Sequence, residues 1–221
     1  MNGRIALFLH QPYCSVQSGN GIMRALEDHY SFKIFTRHDL ERDFFDDVDM
    51  ICFPGGLGDA SNFDFLTREH KLRIRKFVKQ GGAYLGICMG AYWAGSQYFD
   101  ILKGIDVVQY IKLPTAEIRR PYGTVAEITY ESDFSKDRMF FYDGGAVIDT
   151  DIHSTYQVKA RYKNGKPMAL IQRNVGIIGC HPESEEFWYE LYPYINNKWH
   201  KRLRDRWITK LIQYTSIFNI S

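Results

Sequence analysis

The sequence predicts an α/β fold in which a mostly parallel central sheet lies between helices and includes an antiparallel β excursion. Three observations support this prediction. In the first half of the chain, short apolar runs alternate with helical patterns, which is typical of βαβ units. From about residue 110 to residue 173, short alternating runs are separated by Asp-Gly-Gly and Asn-Gly turns, which indicates antiparallel strands. Residues 174–179 then form one more apolar run with the character of a core strand.

Size and composition favour a single domain that spans residues 1–221. The 221 residues are 45% hydrophobic and 15% aromatic, which is within the size that one core can serve. Lys and Arg number 28 against 26 Asp and Glu, a net charge of +2. This balance disfavours a protein that mainly neutralises nucleic-acid phosphates, so we expect no nucleic-acid partner.

The chain shows no pattern of membrane insertion or export. The apolar run at residues 5–9 is shorter than the roughly 7–15 residues of a secretory signal. No other stretch approaches the roughly 18 apolar residues that span a bilayer, so we expect a soluble cytoplasmic protein without a membrane partner.

The first half of the chain is predicted element by element. A strand over residues 4–9 is followed by Gln11-Pro12 and a Ser/Gly-rich loop to Gly21, after which Ile22, Ala25 and Leu26 have helical spacing. The next predicted elements are strands at 33–36 and 48–53, a helix at 67–80 that ends at a Gly-Gly pair, and a strand at 83–87.

The second half contains the antiparallel excursion and a closing helix. Its predicted strands are residues 124–130, 139–142 and 158–162. Near the end, Leu203, Trp207 and Leu211 recur at steps of four in a basic segment, which predicts a helix at about 199–215. We favour a helix that packs on the sheet and closes the domain, with docking of an acidic partner as the alternative.

The sharpest chemical signal is the segment from Gly86 to Gly90, which reads Gly-Ile-Cys-Met-Gly between a predicted strand and a predicted helix. A nucleophile flanked by glycines at such a junction is typical of a nucleophile elbow. The helix N-terminus favours the thiolate form of Cys88, and the N–H of Met89 points where an oxyanion would form.

Two further strand ends supply complementary groups. His181 follows the last apolar run and is the predicted base, and Glu183 is predicted to orient the imidazole. At the end of the 48–53 strand, Gly55, Gly56 and Leu57 form a predicted oxyanion and substrate-binding loop. Within it, the backbone N–H groups of Gly56 and Leu57 are predicted to supply the second half of an oxyanion hole.

These motifs carry a family resemblance. Residues 54–56 (Pro-Gly-Gly), 86–90 and 181–183 (His-Pro-Glu) resemble the class I glutamine amidotransferase-like superfamily, whose triad is Cys, His and Glu. The elbow region 84–92 and the turn at 141–145 look like the group related to the N-terminal domain of biotin-protein ligases. The resemblance implies a flavodoxin-like three-layer sandwich, and it leaves open a homodimer or a partner synthetase that receives ammonia.

Two departures from the family pattern shape the expected activity. Glutamine-hydrolysing members usually have Gln four residues after the nucleophile, where this chain has Tyr92. We therefore predict that Tyr92 narrows the substrate pocket and that glutaminase activity is low. No Gly-Arg-Gly-Arg-like adenylate loop occurs in the 221 residues, so we expect no biotin transfer by this chain alone.

The remaining cysteines and histidines predict no further site. Cys52 lies in an apolar run and is a predicted core residue. Cys180, at a strand end beside His181, is also assigned to the core, with contact to the active site as its alternative. Cys14 is assigned to packing, with a place in the pocket as its alternative. Histidines and cysteines lack the spacing of a metal site, so no metal and no cofactor are predicted.

Three functions are compatible with these residues. The first is a cysteine-dependent amidase or hydrolase that acts on a small-molecule, acyl or amide substrate. The second is a non-catalytic binding or regulatory module that keeps the fold. The third is a thiol redox or stress-response protein, in which Cys88 is oxidised reversibly. A hydrolase needs a base such as His181, whereas an oxidation sensor needs neither His181 nor Glu183.

Overall fold

The computed structural model describes residues 3–10, 14–39, 43–56, 64–199, 206–207 and 209–210, with the backbone alone described for residues 64–69. Within these residues the strands are β1 (Arg4–Phe8), β2 (Ser31–Phe35), β3 (Met50–Phe53), β4 (Ala83–Ile87), β5 (Ile105–Gln109), β6 (Thr124–Tyr130), β7 (Lys136–Phe141), β8 (Gly145–Asp149), β9 (Gln157–Tyr162), β10 (Pro167–Gln172) and β11 (Val175–Ile178). The α-helices are α1 (Val16–Leu26), α2 (Asp64–Lys79), α3 (Met89–Trp93) and α4 (Glu186–Glu190). Single 3-10 turns occupy Tyr110–Lys112 and Asn196–Lys198.

One large sheet joins a parallel half to an antiparallel half. Its described strands follow the order β2-β1-β3-β4-β11-β10-β9-β6-β7. Strands β2, β1, β3, β4 and β11 pair in parallel, and all pairings from β11 to β7 are antiparallel. The predicted parallel core with an antiparallel excursion is therefore confirmed, and the excursion continues the same sheet.

The parallel strands are covered on both faces. Ile5 and Leu7 of β1 pack in a cluster that contains the apolar side chains of α1. Ala6 and Phe8, which alternate with them, pack in a second cluster with Ile74 of α2 and with side chains of α3. This strand alternation places α1 on one face and α2 and α3 on the other, which is the predicted three-layer arrangement.

Helix α1 begins earlier than the sequence predicted. The Ser/Gly-rich stretch was expected to be a loop up to Gly21, but the helix begins at Val16 and its first turn is capped by Ser15. Both of its glycines are close-packed: a Cβ on Gly19 would clash with Leu9, and one on Gly21 would clash with the backbone oxygen of Glu183. The glycines thus permit a tight approach of the helix and do not break it.

A second, smaller sheet contains a pair of strands that the sequence did not predict. Strands β5 and β8 form a separate antiparallel pair, with Val107 opposite Val147. β5 has only five residues, most of them half-buried on both faces. Its sequence therefore lacks the clear alternation of apolar and polar residues that predicts a strand.

The predicted closing helix at 199–215 lies mostly outside the described residues. Trp207, which is described, is fully buried, and its Nε1 donates a hydrogen bond to Asp137 on β7 at 3.0 Å. Among the described helices, none combines the length and the apolar character needed to cross a membrane.

The topology gathers three strand ends at one edge. Strands β3, β4 and β11 are parallel neighbours, with Phe53 beside Gly86 and Ile87 beside Ile178. The segments that follow these strands begin with Pro54, Cys88 and Gly179. Because carboxyl ends of parallel strands share an edge, the three sequence motifs are brought to one place.

Candidate active site

Cys88 occupies a strained turn between β4 and α3. Its backbone has φ 50° and ψ −102°, a conformation that costs a non-glycine residue about 1–3 kcal/mol. The flanking glycines are required by close contacts: a Cβ on Gly86 would clash with the Gly90 carbonyl oxygen, and one on Gly90 would clash with the Phe53 carbonyl oxygen. This is the geometry of a nucleophile elbow, in which the turn lifts the reactive side chain out of the sheet.

The thiol of Cys88 is nearly enclosed, with 7% of the residue exposed. Its backbone N–H donates to Ile178 O at 2.8 Å, which joins the elbow to β11. Its Sγ lies 3.5 Å from the carbonyl oxygen of Tyr142, in the turn that the sequence resemblance singled out without a role. That turn is a wall of the candidate site.

His181 and Glu183 form a buried pair beside the elbow. Nδ1 of His181 lies 2.8 Å from Oε1 of Glu183, and the two residues are 5% and 2% exposed. The backbone N–H of His181 donates to Phe140 O at 2.9 Å, and the imidazole packs edge-on against Phe140 and Trp188. The ring is thus fixed by a carboxylate, a backbone hydrogen bond and two aromatic side chains.

The electrostatics of the pair favour a charged imidazole. Burial alone would lower the pKa of His181, but the charge of Glu183 and then the Cys88 side chain, together with hydrogen bonds to both, raise it to about 10. An imidazolium that interacts with both groups has the position of a base shared between a nucleophile and an orienting carboxylate.

Gly55 and Gly56, the two glycines of the predicted oxyanion loop, lie against different residues of the candidate site. A Cβ on Gly55 would lie 2.7 Å from Cε1 of His181, and one on Gly56 would lie 2.7 Å from Cγ of Met89. The loop therefore bridges His181 and Met89, the residue that follows Cys88. Leu57, the third predicted member, lies outside the described residues.

Tyr92 sits at the position where glutamine-hydrolysing relatives carry Gln. Its hydroxyl donates to the backbone carbonyl of Asp143 at 3.0 Å, and the Asp143 carboxylate accepts from Gln109 Nε2 at 2.8 Å. Burial, with smaller effects of the Asp143 and Cys88 charges, raises the pKa of the Tyr92 hydroxyl, so it stays neutral. The aromatic side chain is anchored on the turn that also contacts Cys88.

Ser18 is a site residue that sequence reasoning missed. It is completely buried, and its hydroxyl donates to Glu183 Oε1 at 2.5 Å and accepts from the Gly55 N–H at 3.0 Å. Local sequence preference predicts a loop for the Ser/Gly-rich stretch, and a loop pattern gives Ser18 no direction. A helical interpretation of that stretch could have placed it on the face of α1 that meets the sheet.

The other cysteines lie in the core. Cys52 and Cys180 are fully buried and Cys14 is 1% exposed, and burial raises the pKa of each thiol. Cys14 also pairs with Gly56 through an isolated antiparallel bridge, which places its backbone beside the glycine loop. Within the described part of the chain, no group of three or more His, Cys, Asp or Glu is arranged to hold a metal ion.

Comparison with known proteins identifies relatives of part of the chain. Residues 13–110 match the family model "Biotin-protein ligase, N terminal". The biotin–protein ligase of Schizosaccharomyces pombe is 30% identical over 163 residues, which are 61% of this chain and 25% of the ligase. An uncharacterized protein of Chlamydia muridarum is 28% identical over 144 residues, covering 57% of this chain and 55% of that protein. The matches thus span about a quarter and about half of these relatives.

Solved structures agree on the fold. A glutamine amidotransferase from Thermotoga maritima superimposes with a TM-score of 0.70 over 100% of both chains, at 13% sequence identity. At this identity the likeness concerns the fold alone. The protein therefore has the class I glutamine amidotransferase-like fold, and its residues 13–110 are related to the N-terminal region of biotin-protein ligases.

Proposed function

We propose that this protein is a cysteine-dependent amidase or hydrolase in which Cys88 is the nucleophile, His181 the base and Glu183 the residue that orients it. The observation that carries the proposal is the buried His181–Glu183 pair, 2.8 Å apart, whose imidazole also interacts with the Cys88 side chain. Cys88 lies in the elbow, and the glycine loop packs beside His181 and Met89.

The proposed reaction has two steps. Cys88 Sγ attacks the carbonyl carbon of an amide, and the C–N bond breaks as the His181 imidazolium protonates the leaving nitrogen. The product is an acyl-thioester on Cys88. A water molecule then transfers a proton to neutral His181 and attacks the thioester carbon, so the C–S bond breaks and releases a carboxylic acid and the thiolate. In each step the attack places negative charge on the carbonyl oxygen of the substrate. The N–H groups of Gly56, Leu57 and Met89 are proposed to stabilise this oxyanion.

The proposed substrate is a small-molecule carboxamide or related acyl compound other than free glutamine. This proposal rests on Tyr92, whose hydroxyl is bound to the Asp143 backbone and therefore not available for a glutamine substrate. We expect purified protein to release little ammonia from glutamine, and efficient release would contradict this substrate assignment.

A second candidate function is a non-catalytic module that binds a ligand at the same site. It is favoured by the match of residues 13–110 to the N-terminal region of biotin-protein ligases and by the presence of Tyr92 in place of Gln. The thiol redox alternative has less support, because reversible oxidation of Cys88 requires no buried His181–Glu183 pair.

Alkylation kinetics test the proposed triad. We expect iodoacetamide to modify Cys88 before Cys14, Cys52 and Cys180, as followed by peptide mass mapping. His181→Ala should slow Cys88 alkylation near pH 7 and move its pH profile upward, because the thiolate loses its imidazolium partner. Glu183→Gln should act in the same direction more weakly.

The control is the fold of each variant, followed by circular dichroism and thermal unfolding. Superimposable profiles of wild type and His181→Ala would mean that no working triad exists, and the binding module would become the better interpretation. Preferential labelling of Cys14 or Cys180 would also remove the main support for the site.

A further inference from the structure

We propose that Ser18 is a positioning residue that aligns Glu183 and the glycine loop, Pro54 to Gly56, around His181. This inference rests on the proposed function of Cys88, His181 and Glu183. Ser18 contacts neither the thiol nor the proposed substrate position in the described contacts, so its action is through its two hydrogen-bond partners.

The hydroxyl of Ser18 has a defined direction. A backbone N–H can only donate and an ionised carboxylate can only accept, so the single Ser18 proton points to Glu183 Oε1 while the oxygen accepts from Gly55 N–H. The two distances are 2.5 Å and 3.0 Å, and the residue is completely buried. Water therefore does not compete for this hydroxyl.

Ser18 determines which oxygen of Glu183 meets the imidazole. Oε1 accepts both from Ser18 and from His181 Nδ1, whereas Oε2 has no hydrogen-bond partner among the described residues. Without the Ser18 hydroxyl, the buried carboxylate would keep a single described hydrogen bond, the one to His181. It would lose one of its two described hydrogen bonds and would be less restricted in rotation.

The same hydroxyl fixes the glycine loop. Gly55 donates its N–H to Ser18 Oγ and accepts the Ser15 N–H at 2.8 Å through its carbonyl oxygen. The first turn of α1 thus holds both polar groups of Gly55, and the Cα of Gly55 faces Cε1 of His181. The first turn of α1 therefore positions two neighbours of the imidazole. These are the Glu183 carboxylate at Nδ1 and the glycine loop at Cε1.

Helix capping does not account for the Ser18 hydroxyl. The cap of α1 is Ser15, whose side chain accepts the backbone N–H of Ser18 at 3.2 Å. The hydroxyl of Ser18 takes no part in capping and binds Glu183 and Gly55 instead. This separation supplies a matched control, because Ser15→Ala weakens the helix without removing a side-chain contact to Glu183 or Gly55.

The test compares Cys88 alkylation by iodoacetamide against pH in wild type, Ser18→Ala, Ser18→Thr and Ser15→Ala, with His181→Ala as the reference for the proposed function. We expect Ser18→Ala to slow alkylation at pH 7 by about three- to tenfold and to move the profile upward, because the lost hydrogen bond acts on Glu183 directly and on Cys88 only through His181. Ser18→Thr keeps the hydroxyl and should retain the wild-type profile, as should Ser15→Ala.

The outcomes separate the two proposals. If His181→Ala shifts the profile but Ser18→Ala superimposes on wild type, the Ser18 inference is overturned and the proposed triad stands. If His181→Ala itself has no effect, the proposed function fails first. A shift in Ser18→Thr or in Ser15→Ala as large as that in Ser18→Ala would indicate a packing or stability effect and would also overturn the inference. Should Ser18→Ala not fold, Ser18→Cys, a weak donor of similar size, replaces it with the same expected shift.

Discussion

At the residue scale, the site depends on a buried charge arrangement around His181. Three residues lie against the imidazole. Glu183 is two positions further along the chain, whereas Cys88 follows β4 and Gly55 follows β3, both far from His181 in sequence. The carboxylate contact could be expected from the His-Pro-Glu spacing. The elevated pKa of the imidazole could not, because burial and charge act in opposite directions and only the folded arrangement decides between them.

The first prediction at this scale concerns the protonation of His181. We expect its ring protons, observed by NMR, to titrate far above the ordinary value of 6.5, toward about 10. Cys88→Ala and Glu183→Gln should each lower the midpoint, since each removes a negative group that raises the pKa. A wild-type midpoint near or below 6.5 would show that desolvation prevails and would contradict the charge arrangement.

The same shift has a defined sign for stability. The native state binds this proton more tightly than the unfolded chain, so the contribution of His181 to the free energy of unfolding is fully present below about pH 6.5. It is lost as the pH rises toward 10. Chemical denaturation of wild type and His181→Ala across this range should therefore show a difference that diminishes with increasing pH.

At the element scale, α1 is the part of the fold that differs most from its prediction. Ser, Gly and Asn are typical of loops when only local preference is considered. In the folded protein, Gly19 and Gly21 let the helix approach Leu9 and the Glu183 backbone, and Ser18 meets the site. Tertiary packing overrides local preference here, and the gain is a helix turn in contact with the orienting carboxylate.

Gly21→Ala tests this packing. In most helices, replacing Gly by Ala stabilises by about 0.5–1 kcal/mol. At Gly21 the added Cβ would clash with the Glu183 backbone oxygen, so we expect destabilisation by about 1–3 kcal/mol, measured by chemical denaturation. Asn20→Ala is the matched control in the same helix, and it should be neutral or stabilising. A Gly21→Ala protein as stable as the control would show that the helix can move away without cost.

At the scale of the whole molecule, the described part of the C-terminal segment is bound to the far end of the antiparallel half. Trp207 is completely buried, stacks near Tyr189 and donates to the buried carboxylate of Asp137. Arg206 and Lys210 lie over the ring of Tyr130 on β6. These contacts favour the closing role over docking of an acidic partner, since Arg206 and Lys210, the basic side chains described in residues 206–210, already have partners within the chain.

Removal of the Trp207 side chain tests whether this segment belongs to one cooperative domain. We expect Trp207→Ala to lower the free energy of unfolding by about 3–5 kcal/mol, as for a large core residue whose loss also leaves Asp137 without this hydrogen bond. Trp199→Ala, at a half-buried tryptophan, should cost less. A single thermal transition shifted to lower temperature supports one domain, whereas an unchanged transition would show that the segment contributes nothing to it.

The sequence by itself determined the α/β class, strand β4 with its elbow, and the identities of the chemical groups at three strand ends. These features are local: an apolar run, a Gly-x-Cys-x-Gly turn and a His-Pro-Glu triplet each give a pattern within a few residues. Tertiary structure alone decided the adjacency of β3, β4 and β11, the position of the Phe141 to Gly145 turn against Cys88, and the role of Ser18. Those depend on strand order and on contacts between residues far apart in the chain, such as Ser18 and Glu183, for which no local pattern exists.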